Sequence, residues 1–193
     1  MRPHFRPRDP HAVVESRSDA ARAFTLFEVV LVILILGIVA AALAVPLGGN
    51  LYASRLRTAA AVLGSDIDYC ASGSVAQPNA PGAVTFDTTR NQYSLIDYHS
   101  KATLKYPADS QDYVNDFATG RNAQWGGVTL QSVLCGGRQV GGVAFDAYGR
   151  PTAYDAAWQS LPAGDVVITL AFNGQTLTVT ISCTTGDVTI TGT

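Results

Sequence analysis

Ala23-Phe24-Thr25-Leu26-Phe27-Glu28 opens the stretch that decides the fold, and Val29 to Val45 continues it for seventeen residues without a charge. Counted from Phe24, the stretch reaches twenty-two residues. A helix needs roughly 20 residues to cross ~30 Å of hydrocarbon at ~1.5 Å per residue. Gly37 is the one break in a run of Leu, Val, Ile and Ala. The β-branched residues are no obstacle, because backbone groups that lack water must bond within their own segment. The stretch is read as a helix over residues 24–46, and its one anomaly is the carboxylate of Glu28 at the mouth of the run.

Working outward toward the N-terminus, residues 1–23 carry Arg2, Arg6, Arg8, Arg17 and Arg22 against Asp9, Glu15 and Asp19. Three assignments compete for the segment. A plain membrane anchor leaves Glu28 unexplained. A secretory signal peptide cut after Ala42-Leu43-Ala44 has the small-x-small pattern, but such peptides carry basic residues, not an acid, ahead of the apolar run. A carboxylate on a membrane helix costs about 2.5–3.5 kcal/mol on insertion scales, so Glu28 demands a partner. Snorkelling into interfacial water is the bland alternative.

The third assignment comes from a resemblance. Ala23-Phe24-Thr25-Leu26-Phe27-Glu28 followed by an apolar run resembles the prepilin peptidase site of type IV pilins and pseudopilins. The resemblance implies a leader, residues 1–23, removed between Ala23 and Phe24, and methylation of the new amine at Phe24. It places Glu28 fifth in the mature chain, paired with the Phe24 amine of a neighbouring subunit, which sets axial register. The family usually has Gly before the cut, and Ala23 is the smallest replacement. Orientation also follows from the resemblance, because Arg17 and Arg22 on one side match Arg55 and Arg57 on the other and the positive-inside rule is nearly mute. The expectation is a single-pass protein of the bacterial inner membrane, with its globular part in the periplasm.

Toward the C-terminus, Pro46 and Gly48-Gly49 should loosen the helix. Tyr52, Leu56, Ala59, Leu63, Ile67 and Cys70 then recur at spacings of three and four, which predicts an amphipathic continuation over 47–76. Arg55, Arg57, Asp66 and Asp68 are read as lying off that stripe. Residues 77–193 read as β-rich. Ala83–Phe86, Gln92–Tyr98, Gly127–Leu134, Val140–Phe145, Val166–Phe172, Thr176–Ser182 and Val188–Ile190 are strand candidates, and Pro107 to Trp125 reads as a loop. Asn173-Gly174 is the strongest turn signal, suited to a type I′ hairpin. The class is α+β, a long N-terminal helix packed on an antiparallel β-rich domain. Arg55 to Ala60, Val143 to Gly149 and Thr185 to Val188 resemble the pseudopilin H (GspH-like) branch in short, degenerate matches.

The chain is 47% hydrophobic and 15% charged, with net charge −2. No Lys or Arg occurs from Pro151 to Thr193, so that stretch offers no counter-charge to nucleic acid, although Arg121, Arg138 and Arg150 leave an earlier patch open. Cys70, Cys135 and Cys183 lack zinc-ligand spacing. An oxidising compartment allows one disulfide. Cys135 with Cys183 is favoured because both end predicted strands, against three free thiols. Asp109, Asp112 and Asp116 do not follow calcium-loop spacing and read as a solvated loop. His99 has no marked nucleophile or acidic orienter around it. The glycine pairs at 126–127, 136–137 and 141–142 lack the Lys-Ser or Lys-Thr of a phosphate loop. Trp125 and Trp158 read as core.

The expected function is structural: a minor pseudopilin of a type II secretion system, not an enzyme, with no cofactor and no metal. Its expected partners are other pseudopilins, prepilin peptidase and the inner-membrane assembly platform. The rivals are a minor pilin of a type IV or DNA-uptake pilus and an exported soluble domain with an ordinary signal peptide.

Overall fold

The computed structural model describes residues 25–44, 47–119 and 125–192, with side chains at 25–40 and from 51 onward. Two compact units divide the chain, Met1–Val45 and Pro46–Thr193. The first holds helix α1, Leu26–Ala44. The leader and the cleavage residues Ala23 and Phe24 lie outside the described residues, as does the junction at 45–46 where a kink is expected.

The second unit begins with α2, Leu47–Ala76, and the expected stripe is buried from Leu56 to Cys70, with Tyr52 half-buried at its start. Leu56, Ala59, Ala60, Leu63, Ile67 and Cys70 are all buried, because residues three and four apart share one helix face. The helix stops short of Pro78, and Ser74 fastens its end to the first strand. Ser74 Oγ donates to Cys70 O at 3.0 Å and accepts from Gly82 N at 2.8 Å. Gly82 has to be glycine for a steric reason, since a Cβ there would lie 2.6 Å from Cys70 Sγ.

Ten strands form two five-stranded antiparallel sheets. The first sheet contains β1 (Gly82–Asp87), β2 (Gln92–Asp97), β3 (Val114–Asp116), β6 (Gly142–Phe145) and β7 (Pro151–Tyr154), in the order β3-β2-β1-β6-β7. The second contains β4 (Thr129–Cys135), β5 (Arg138–Gln139), β8 (Val166–Phe172), β9 (Gln175–Ile181) and β10 (Val188–Gly192), in the order β10-β9-β8-β4-β5. Asn173 (φ 47°) and Gly174 (φ 78°) both adopt positive φ, the type I′ requirement, and Phe172 pairs Gln175 across the turn. One core joins α2 to the inner faces of both sheets, with Val84, Leu95 and Phe145 from the first and Ile168, Val179 and Ile181 from the second. This is an α+β arrangement: an N-terminal helical part and a C-terminal antiparallel β domain.

Three strands differ from the sequence reading. The segment read as a loop from Pro107 to Trp125 contains β3, which pairs Gln92 with Asp116 and Ser94 with Val114. β5 (Arg138–Gln139) and β7 (Pro151–Tyr154) fall between the strand candidates read from the sequence. A larger correction concerns Asp66. It was placed off the stripe, yet it is only 6% exposed, because it lies three residues from Leu63 and four from Cys70.

Candidate functional site

The N-terminal candidate is built by Thr25 and Glu28. Thr25 precedes α1 and Glu28 lies in its first turn, the spacing of a capping box. Glu28 Oε2 accepts from Thr25 N at 3.1 Å and from Thr25 Oγ1 at 3.1 Å, while Glu28 N donates to Thr25 Oγ1 at 3.2 Å. Two of the unpaired amides of a helix start are thereby satisfied. The carboxylate sits beside the backbone N–H that immediately follows Phe24.

Beyond this cap, α1 is apolar on every face, and its described side chains are exposed. Leu26 is 82% exposed, Phe27 74%, and Val29 to Ile38 present Val, Leu and Ile side chains all round. A helix apolar all round belongs in lipid or among other helices. Among the described residues no helix is long and apolar enough to cross a membrane. Leu26–Ala40 would rise about 22 Å at ~1.5 Å per residue, short of ~30 Å of hydrocarbon. The expected span over 24–46 thus includes residues outside the described side chains.

In the second unit the polar group that sequence reasoning missed is the Asp66 cluster. Asp66 accepts from Tyr93 Oη at 2.6 Å, Tyr113 Oη at 2.8 Å and Asn115 Nδ2 at 2.7 Å. Asn115 Nδ2 also reaches Tyr93 Oη at 2.8 Å, and Tyr106 Oη donates to Asn115 Oδ1 at 2.7 Å. Tyr106 stacks on Tyr113 with ring centroids 3.7 Å apart. Burial pushes the Asp66 carboxyl up, against the pull of its three donors. Burial pushes both the Tyr93 and Tyr113 phenols up, and Asp66 adds to the push through its charge and through the hydrogen bonds it accepts from them. The cluster therefore ties α2 to β2, β3 and the loop between those strands. Its position on the helix wheel was readable. Its donors, 27 to 49 residues away in sequence, were not.

Cys70 and Cys135 are buried and Cys183 is half-buried, and no disulfide joins them in this structure. Burial, and then the Asp66 charge, push Cys70 up to about 12, so it stays protonated and unreactive at neutral pH. Cys135 Sγ donates toward Gly164 O at 3.2 Å, and Cys183 N donates to Asp165 Oδ1 at 2.9 Å. The two residues thus flank Gly164-Asp165, where Cys183 is near enough to add to the upward push that burial gives the Cys135 thiol.

The remaining candidates are dispersed. Asp112 pairs with Lys105 at 2.6 Å. Asp116 accepts from Ala118 N and Thr119 Oγ1, and Asp109 from Gln111 N. Among the described residues no group of His, Cys, Asp or Glu is placed to hold a metal ion. His99 is exposed beside the Tyr98 ring. Trp125 is buried in the core, and Trp158 is half-buried under the Lys101 ammonium, 3.2 Å from its ring centroid.

Comparison with known families adds one match. Residues 19–44 fit the prokaryotic N-terminal methylation motif, spanning the predicted cut, Thr25, Glu28 and all of α1. No curated protein and no solved structure matches the chain. The chain carries the type IV pilin-like prepilin signal, which marks it as a pilin- or pseudopilin-class substrate of prepilin peptidase.

Proposed function

We propose that this chain is a minor pseudopilin of a type II protein secretion system, a structural subunit and not an enzyme. The observation that carries the reading is α1, a capped helix of wholly apolar surface inside the methylation motif and exposed along its length. A filament of such helices would bury that surface. The peptidase cuts between Ala23 and Phe24 and methylates Phe24. α1 holds the subunit in the inner membrane as a single pass until assembly, with the β-rich unit in the periplasm. Glu28 then pairs with the Phe24 amine of the neighbouring subunit, and partners are other pseudopilins and the assembly platform. In the oxidising periplasm Cys135 and Cys183, flanking Gly164, form a disulfide, which thiol alkylation with and without reductant detects.

The test is mass spectrometry of the protein from its host, which should find N-methylated Phe24 as the first residue. Val45 as first residue would end the reading. A deletion strain then distinguishes the system: lost secretion with pili intact supports the pseudopilin assignment, whereas lost pili with secretion intact replaces it with a minor pilin.

A further inference from the structure

The four sheet edges of the second unit are not equally protected. β3 has three residues and ends in Asp116, β5 has two and begins with Arg138, and β7 has four and begins with Pro151. Short length, charge and proline are the usual means of blunting an edge. β10 has none of them. Its five residues, Val188-Thr189-Ile190-Thr191-Gly192, are uncharged and pair with β9 in unbroken register. Ile190 remains 43% exposed.

Its free hydrogen-bonding groups can be assigned. Ser182 N donates to Asp187 O, and Thr180 and Thr189, then Thr178 and Thr191, oppose each other further along the ladder. Antiparallel pairs alternate between bonded and non-bonded. The N–H and C=O groups of Val188, Ile190 and Gly192 therefore face away from β9. On the α2 side, Val188 and Ile190 pack toward Gly64, whose added Cβ would lie 3.4 Å and 3.9 Å from them.

A cavity lies at each end of this edge. At the Gly192 end, about 420 Å³ is bounded by Leu56, Arg57, Leu177 and Ile190. At the Val188 end, about 520 Å³ is bounded by Asp68, Val75, Tyr148 and Asp187. The charges differ between them. Asp68 and Asp187 repel each other across the second cavity, which with burial pushes the Asp68 carboxyl up. Among the described residues no ion pair engages Arg57, Asp68 or Asp187.

We propose that β10 is a strand-acceptor edge, which takes an extended segment of a partner protein with a Lys or Arg at the Val188 end and an Asp or Glu at the Gly192 end. Apolar side chains at alternate positions between them lie over Val188 and Ile190. The added strand bonds the outward groups of β10, its cation separates Asp68 from Asp187, and its acid meets Arg57. The surface lies wholly within the second unit, so it stands whether or not the N-terminal signal is processed.

The test uses the full chain in detergent micelles and a fluorescein-labelled peptide, Lys-Thr-Val-Thr-Val-Thr-Glu, read by fluorescence anisotropy against empty micelles. Saturable binding is expected, weakened about tenfold or more when Ser replaces the peptide's Lys and Glu, and to the same degree by Asp68→Asn with Asp187→Asn. Hydrogen exchange at Val188 and Ile190 should slow on binding. Ile190→Pro removes an outward N–H and no ladder bond, a position where an edge strand tolerates proline, and should abolish binding. Three results overturn the proposal: no saturable binding, equal binding of the charged and Ser-ended peptides, or exchange at these amides that slows with protein concentration alone, which would make a second copy the occupant.

Discussion

The two helices each carry an acid, and the two acids live in opposite circumstances. Glu28 sits in the first turn of a helix apolar on all sides, and among the described residues its oxygen bonds to the residue three before it. Asp66 sits in the middle of a helix packed on two sheets, with donors from three other places in the chain. The difference shows where the chain completes itself. α2 buries one face within its own unit. Among the described residues α1 has a local cap and exposed apolar side chains, and in the proposed filament those side chains meet other subunits.

The largest expected effect breaks the comparison at Glu28. Glu28→Gln keeps an oxygen that can accept from Thr25 N and removes only the charge. On the proposed pairing of Glu28 with a neighbouring Phe24 amine, removing one member of a desolvated ion pair costs roughly 3–5 kcal/mol, enough to abolish polymer recovered by shearing or cross-linking. Cleavage before Phe24 should be unchanged by mass spectrometry. Polymer at the normal level would mean that the cap is all Glu28 does, and the contrast with Asp66 would disappear.

At Asp66 the expected effect is on folding. Asp66→Ala leaves three buried donors without their acceptor, and each unmet group costs about 1–3 kcal/mol. A loss of roughly 3 kcal/mol or more is expected in denaturant unfolding of the full chain in detergent. A loss under about 1 kcal/mol, the worth of an ordinary exposed pair, would show that the cluster does not hold the loop between β2 and β3 onto α2.

Acid titration sharpens the same point. Burial raises the Asp66 carboxyl in the folded state, and burial with Asp187 raises Asp68. A raised folded pKa means that the native state binds the proton more tightly, so these groups add stability at low pH and lose it as pH rises through their folded values. Hydrogen bonds to Thr89, Ser100 and Thr119 lower Asp87, Asp97 and Asp116, so their contributions are lost as pH falls below the ordinary carboxylate range, ~3.9. Stability should therefore rise as pH drops from 7 toward that range and fall below it. Asp66→Asn should flatten the upper limb and leave the lower one. A wild-type curve that falls steadily from pH 7 downward would contradict the assignment.

These contrasts also explain what was readable in advance. α2 declared itself because its apolar side chains follow one face, and β8 and β9 because Asn173-Gly174 can take the positive φ that their turn demands. β3 and β5 are too short to show a period and exist through pairing with β2 and β4. Pro151 hid β7, since proline argues against a strand except at an edge or a first residue, and Pro151 is both. Asp66 was misplaced because its polarity outweighed its position, and the donors that permit its burial come from β2, β3 and their loop. At the N-terminus the opposite held. The helix over Leu26–Ala44 could be read from its uncharged apolar run, and its meaning as a prepilin signal from the resemblance of Ala23 to Glu28 to a short local motif.

The smallest expected effect separates the two roles left to Glu28. Thr25→Ala removes the hydroxyl that accepts from Glu28 N and the side-chain donor to Glu28 Oε2, but keeps the carboxylate. An N-cap is worth about 1 kcal/mol, so hydrogen exchange at the Glu28 amide should speed up about fivefold. Polymer yield should stay near normal, because the charge that would meet the neighbouring amine is untouched. If Thr25→Ala instead lowers polymer yield as far as Glu28→Gln does, the cap itself, and not a charge shared between subunits, is what this acid supplies. α1 and α2 would then both be completed from within.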